Sequence, residues 1–202
     1  METRRGIKIL AFVVAMVVAA GPLAAQEQAP EMDEAMQAMM AAYAEYAEVG
    51  REHELMARAG GEWKVRVKMW TSPGTPPMVS EGTSSVKLIM DGRYMLEEYN
   101  ASTPMGHFEG LGLHGYDNIK NRYVGVWIDS MSTGIMRAEG TANEDASVLS
   151  FTGESPDPVA GAYKQQRSTM TIVDANTHRF ETFEKTPDGT EWRNMEILYE
   201  RR

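Results

Sequence analysis

From Glu62 to the end of the chain, hydrophobic and polar residues alternate with a period of two. Within residues 62–69 the alternation of apolar and charged side chains is strict, which is typical of a strand with one dry and one wet face. Clusters of Pro, Gly, Asp and Asn, which favour turns, separate the alternating segments. About ten consecutive strands are therefore predicted, near residues 62–69, 79–90, 93–100, 108–116, 121–129, 134–141, 147–153, 162–173, 178–185 and 191–199.

Ten strands in a row, with no helices between them, must bury one face of the sheet. Closing the sheet on itself buries that face and also removes the exposed edges. We therefore predict an all-β fold, an antiparallel up-and-down barrel of about ten strands over residues 61–202. A sandwich of two sheets is the alternative.

Residues 26–60 have a different periodicity and predict a helical segment ahead of the barrel. Six residues recur at helical spacing, and they are Met32, Met36, Met39, Met40, Tyr43 and Ala47. Gly50 is expected to break the helix, and a second short helix over about 51–59 ends at Gly60-Gly61. The Met-rich stripe either packs against the body of the fold or binds a partner, because methionine side chains adapt to varied surfaces.

The first 25 residues have the features of a secretory signal peptide. Arg4, Arg5 and Lys8 precede the apolar run 9–20, and small residues follow before Gln26. The run is too short for a comfortable membrane span. We expect a periplasmic or secreted protein that is not an integral membrane protein.

Charge and cysteine content narrow the range of partners. The chain has 202 residues, a net charge of −9 and no cysteine, so disulfides and a lipoprotein anchor are excluded. An acidic surface argues against nucleic acid or anionic lipid as partners. The sequence leaves the oligomeric state open.

The segment from His107 to Met136 predicts a hairpin whose two faces differ. A turn at 117–120 would pair Tyr116 with Asn121 and place Gly110 opposite Trp127. One face is aliphatic, with Leu111, Leu113, Val124, Val126 and Ile128. The other face carries Phe108, Gly110, Gly112, His114, Tyr116, Tyr123, Gly125, Trp127 and Asp129. Which of the two faces points into the barrel stays open.

Glycines inside strands often mark the close approach of a ring or a ligand. Either Trp127 simply covers Gly110, or the glycines hollow out a pocket lined by the aromatic residues. The strands at 162–173 and 178–185 carry polar groups on both faces, which suggests a partly hydrated lumen to which Arg167 would contribute.

The sequence offers few residues that would support metal binding, haem binding or catalysis. No paired-histidine spacing or cysteine suggests a metal, and haem would need one well-placed histidine, for which His114 or His178 could serve. We predict neither a metal nor a cofactor. An enzyme would have to bring Asp117, Asp129 and His114 to a common cavity mouth, although Asp117 is better explained as a turn residue.

Short motifs connect the chain to known families. Gly61-Glu62-Trp63, after a short helix, resembles the G-x-W opening of lipocalin-type barrels, in which the Trp closes one end beneath an Arg. That resemblance implies a structural role for Trp63, with Arg201 or Arg202 as its counterpart. Further segments resemble a second family, and they are 73–77, 92–94, 108–110, 115–118, the run W-I-D-S-M-S-T-G at 127–134, 140–141 and 196–201.

These segments resemble an uncharacterised bacterial family, domain of unknown function 1579, over about residues 52–202. The resemblance implies a lipocalin-like β domain, often exported, with no established activity and therefore no catalytic residues. We expect a binding protein, with a small apolar or amphipathic ligand in the lumen. Its expected ligand-binding residues are Phe108, His114, Tyr116, Tyr123, Trp127, Asp129 and Arg167. The alternatives are the enzyme described above and a partner-binding protein that uses its Met-rich helix.

Overall fold

The computed structural model describes residues 33–202, so the predicted signal peptide lies outside the described residues. Helix α1 spans Glu34–Tyr46 and helix α2 spans Arg51–Ala57. The strands are β1 (Gly61–Met69), β2 (Met78–Ile89), β3 (Tyr94–Thr103), β4 (Gly106–Asp117), β5 (Arg122–Asp129), β6 (Met136–Ala142), β7 (Val148–Asp157), β8 (Ala162–Asp174), β9 (Thr177–Lys185) and β10 (Glu191–Arg201).

The ten strands form one closed antiparallel barrel in which each strand pairs with its neighbours in sequence and β1 pairs with β10. The predicted up-and-down barrel with an N-terminal helical segment is therefore confirmed, and the two-sheet alternative is wrong. Closure pairs Trp63 with Arg201 and Met69 with Met195. Every described strand consequently has a partner on both sides.

The predicted register of the central hairpin is wrong by two residues. Tyr116 pairs with Tyr123 rather than with Asn121, and Gly110 pairs with Asp129 rather than with Trp127. The turn occupies residues 118–121, with Asn121 in the left-handed region at φ 52°. Since side chains alternate between faces with a period of two, a shift of two residues leaves the composition of each face unchanged.

One end of the barrel, where β1 begins, is closed by α2 and by Trp63; we refer to it as the helix end. His53 and Met56 of α2 are buried, and the His53 ring lies 5.9 Å from that of Tyr116. At the opposite, distal end, Met69 and Met78 pair with one another and remain 40% and 42% exposed. The barrel is therefore packed at one end and accessible at the other.

The buried core lies against one side of the barrel wall. Its members come from β1, β3 and β10, and they are Trp63, Val65, Val67, Tyr99, Ala101 and Tyr199. On the side formed by β5 to β8, many inward-facing side chains keep partial exposure, among them Trp127, Met136, Phe151 and Gln166. The interior is thus filled on one side and incompletely filled on the other.

Helix α1 carries Met36, Met39, Met40 and Tyr43 of the predicted stripe, and none of its residues is buried; Met32 lies outside the described residues. Met36, Met39 and Met40 are 44%, 48% and 52% exposed.

Candidate functional site

The aromatic and glycine-rich face of the β4–β5 hairpin points into the barrel. Gly110 pairs with Tyr99, a member of the buried core, and Asp129 pairs with Gly110, so these residues share the inner face. The aliphatic face points outward, where Leu111 and Ile128 are 38% and 43% exposed. This settles the question that the sequence left open.

Two rings on this inner face lie flat against the strands because glycines leave room for them. A Cβ on Gly110 would come within 2.2 Å of Cζ2 of Trp127. The His114 imidazole covers two more glycines, with Nε2 2.5 Å from a Cβ built on Gly112 and Nδ1 2.8 Å from one built on Gly125. Both side chains remain partly exposed on the inner face.

Tyr99 links the flat rings to the core. Its ring packs edge-on against Phe108 and Trp127, with centroid distances of 5.7 and 5.9 Å. Burial, reinforced by the nearby Glu97 carboxylate, raises the pKa of Tyr99 to about 12. We refer to Tyr99, Phe108 and Trp127 together as the aromatic wall.

A polar cluster that sequence reasoning missed adjoins the aromatic wall. Glu97 of β3 lies on the inner face, 12% exposed, with one carboxylate oxygen accepting hydrogen bonds from the hydroxyls of Ser84 (2.7 Å) and Tyr199 (3.4 Å). Its other oxygen, Oε2, is 3.6 Å from Nε2 of His114. Burial, with Glu97 as a further cause, raises the pKa of Tyr199 well above its usual value, so its hydroxyl keeps its proton to donate.

Asp129 holds the Trp127 side chain in place. Its Oδ2 accepts the indole N–H of Trp127 at 3.0 Å, and its Oδ1 accepts the backbone N–H of Met131 at 3.0 Å. Both carboxylate oxygens of Asp129 therefore have donors within its own hairpin.

Tyr116 and Tyr123 lie at the helix end, away from the aromatic wall. Their rings pack at 5.0 Å, and Tyr123 is only 5% exposed. Burial raises the pKa of Tyr123 to about 12, and burial also raises that of Tyr116. The structure thus brings Phe108, His114, Trp127 and Asp129 into one neighbourhood but makes Tyr116 and Tyr123 part of the packing under α2.

Trp63 and Arg201 form the plug predicted by the lipocalin resemblance. The Arg201 guanidinium stacks over the Trp63 ring at 4.2 Å and donates hydrogen bonds to the carbonyls of Gly60, Arg58 and Ala175. The indole N–H of Trp63 donates to the Ala59 carbonyl at 2.9 Å.

The three residues of the enzyme hypothesis are not brought together. Asp117 accepts backbone hydrogen bonds from Ile119 and Lys120, the contacts of a turn residue, and alternation places it on the outer face. Asp129 pairs with Gly110, seven residues along β4 from Asp117, roughly 23 Å at about 3.3 Å per residue. No common cavity mouth contains both carboxylates.

Arg167 also lies on the outer face and has to be removed from the predicted lining. Its guanidinium makes two hydrogen bonds to Glu191, at 2.8 and 2.7 Å, and stacks on Phe183 at 3.7 Å. It borders a groove of about 270 Å³ whose other lining residues, such as Thr141 and Thr152, are largely outward-facing. On β8, the face that points inward is the one that carries Lys164, Gln166 and Ser168.

Polar groups from β8, β9 and β10 also face the distal part of the lumen. Lys164 donates to Glu184 at 2.7 Å, and Asn194 bridges Glu184 to the hydroxyl of Thr182. The buried hydroxyl of Ser155 makes no hydrogen bond within the described part of the chain. The polar side chains of Lys164, Glu184, Asn194 and Thr182 are thus hydrogen-bonded to one another, whereas the Ser155 hydroxyl is not.

Among residues 33–202 no three His, Asp or Glu side chains converge as metal ligands would. Neither described helix has the length and hydrophobicity that crossing a bilayer requires.

The chain belongs to the family described as protein of unknown function (DUF1579), whose model matches residues 48–201. This confirms the resemblance seen in the motifs. No curated protein matches the chain in sequence.

Two solved structures with similar barrels show the same fold. One is Rv2717c from M. tuberculosis, with a TM-score of 0.55 and 9% identity over 77% of this chain and 99% of that one. The other is the S-type phycobiliprotein lyase CPES from Guillardia theta, with a TM-score of 0.52 and 11% identity over 76% of this chain and 93% of that one. At these identities the similarity concerns the fold alone.

Proposed function

We propose that this protein is a non-enzymatic binding protein of the cell envelope that holds a small amphipathic molecule in its barrel lumen. The proposal rests mainly on the arrangement of side chains on the inner face of β3, β4 and β5. There the rings of Trp127 and His114 lie over glycines, and both side chains remain partly exposed on the inner face. Solved barrels of the same fold include a phycobiliprotein lyase, and we favour binding over catalysis because Asp117 and Asp129 are far apart.

Binding would draw on two kinds of contact. Covering the exposed parts of Phe108 and Trp127 would remove apolar surface from water, which stabilises a complex by roughly 25 cal/mol per Å². Glu97 and His114, beside the aromatic wall, would orient the polar end of the ligand. This combination of an apolar surface and a few placed polar groups is typical of small-molecule sites.

The location of the site can be tested with Nile red, a neutral apolar dye. Ala138 of β6 faces inward next to Gly153, and Ala138→Phe would fill the lumen with a ring. Thr141 of the same strand is exposed on the outer face, so Thr141→Phe adds the same ring without entering the lumen.

We expect the wild type and Thr141→Phe to bind Nile red with equal affinity and Ala138→Phe to bind it at least about tenfold more weakly. Circular dichroism would verify that both variants fold. If folded Ala138→Phe bound the dye as well as the wild type does, or if the wild type bound none, the proposal would be wrong.

Export is part of the proposal, because residues 1–25 have the composition of a signal peptide. Expression of the full chain in a Gram-negative host should give a periplasmic protein whose first residue, by mass spectrometry, is Gln26. A cytoplasmic protein that keeps residues 1–25 would contradict it.

A further inference from the structure

Glu97 is an acidic side chain of the lumen with which no lysine or arginine of the described chain pairs, and it lacks a close donor on one of its two oxygens. Its hydrogen-bond donors are the neutral hydroxyls of Ser84 and Tyr199, and both reach the same oxygen, Oε1. The second oxygen, Oε2, accepts no hydrogen bond within residues 33–202, and the His114 imidazole lies 3.6 Å from it, which is longer than a good hydrogen bond. Glu97 is nevertheless only 12% exposed.

The other acidic side chains of the inner face are already satisfied. Glu184 accepts from Lys164 and Asn194, and Asp129 uses both oxygens on donors of its own hairpin. A carboxylate that is mostly buried without a cation is costly, and an external cation would compensate it.

Two aromatic side chains, Trp127 and Tyr99, lie near Glu97 on the inner face. Glu97, Gly112 and Trp127 lie opposite one another in a single row across β3, β4 and β5, so the carboxylate and the indole flank a glycine. Adjacent strands are about 4.8 Å apart, which puts the Glu97 and Trp127 backbones roughly 10 Å from each other. Tyr99, two residues after Glu97 on the same face, packs against Trp127.

We propose that Glu97 is the anchor for a cationic head group, so that the ligand class is an amphiphile bearing a protonated amine or a quaternary ammonium. A carboxylate supplies the charge, and the faces of Trp127 and Tyr99 favour a cation beside them. His114 lies beside Glu97 and over the buried Gly112, and Phe108, toward the distal end, provides apolar contact for the tail. This inference rests on the proposed function and specifies its ligand.

Three compounds that share an octyl chain separate charge from hydrophobicity: octylamine, octanol and octanoate. Their affinities for the protein are measured by calorimetry at about pH 8. Glu97→Gln removes the charge while its amide oxygen can still accept from Ser84 and Tyr199. Glu98→Gln is the matched control, because Glu98 pairs with Lys87 on the outer face and its loss changes the net charge equally.

We expect octylamine to bind at least about tenfold more tightly than octanol, and octanoate to bind most weakly. Glu97→Gln should reduce the affinity for octylamine to that for octanol, and Glu98→Gln should leave it unchanged. Equal affinities in Glu97→Gln and the wild type, tighter binding of octanoate, or no binding of octylamine would overturn the inference. The Nile red experiment decides separately whether the lumen binds ligands at all.

Discussion

The indole of Trp127 lies across the backbone of Gly110, diagonal to the residue with which Trp127 pairs. Asp129, directly opposite Gly110, holds the indole there through the 3.0 Å hydrogen bond from its N–H. Since a Cβ on Gly110 would be 2.2 Å from the ring, only glycine permits this arrangement. The position of the Trp127 ring in the aromatic wall therefore depends on glycine at residue 110.

Gly110→Ala should displace the Trp127 ring, because the added methyl group occupies the same volume as the indole. Overpacking of this kind costs typically about 1–3 kcal/mol of unfolding free energy. Urea unfolding would measure that loss, and the displaced indole should also change the emission of the folded protein.

A double-mutant cycle provides the control for this contact. In a Trp127→Leu background the ring is gone, so Gly110→Ala should cost about 1 kcal/mol less than it does in the wild type. Equal costs in the two backgrounds would show that the methyl group clashes with something other than Trp127.

Arg201→Lys should destabilise the barrel even though it keeps the positive charge. A lysine cannot reproduce the flat stacking on Trp63 together with hydrogen bonds to three carbonyls, and we expect a loss of about 1.5–3 kcal/mol in urea unfolding. Arg202→Lys, next in sequence and exposed, should change stability by less than about 0.5 kcal/mol. Similar losses for both variants would refute the specific role of Arg201.

His178 should make the protein less stable in mild acid. Its burial, with the Arg201 guanidinium nearby, lowers its pKa below the ordinary value of 6.5. Below that value the unfolded chain takes up a proton that the folded state does not, so stability is full above pH 6.5 and falls as the pH drops through the window beneath it.

Urea unfolding at intervals from about pH 7 to about pH 5.5, above the range in which carboxylates titrate, measures this slope. His178→Phe preserves a ring against Trp63, at a position where the two rings are 4.5 Å apart, and should flatten the slope. His107→Phe, at an exposed position, should leave the slope as it is. An unchanged slope in His178→Phe would exclude His178 as its source.

Tyr99 and Tyr123 are among the tyrosines that should ionise unusually late. Burial raises the pKa values of Tyr99 and Tyr123 to about 12, whereas a model tyrosine ionises near 10. In an ultraviolet titration of tyrosinate, Tyr99→Phe and Tyr123→Phe should each remove amplitude from the late step. Loss of amplitude from the early step instead would mean that these phenols are accessible in solution.

Alternation along the strands predicted the barrel, since a strand with one buried face repeats with a period of two and the turns are marked by Gly, Pro, Asp and Asn. The motif at 61–63 likewise predicted the plug beneath an arginine near the chain end. The hairpin register failed because Asp117 caps the turn from the end of β4, which moves the tight turn to residues 118–121. The assignment of residues to the two faces was still correct, because the register shifted by an even number of residues.

The polar half of the lumen was less predictable. Both faces of β8 carry polar residues, so nothing local in the sequence distinguishes the outward Arg167 from the inward Lys164. Glu97 was missed because its neighbours Ser84 and Tyr199 come from strands 13 and 102 residues away in sequence. Only the register between strands brings these three side chains together.

The pairing of β1 with β10 also determines when the barrel can close during synthesis. The first and last strands are the most distant in the barrel sequence, so the seam between Trp63 and Arg201 cannot form until the final residues have left the ribosome. Contacts of such long sequence separation form slowly, because a long chain must be ordered before they can be made. The barrel therefore cannot close before β10 has been synthesised.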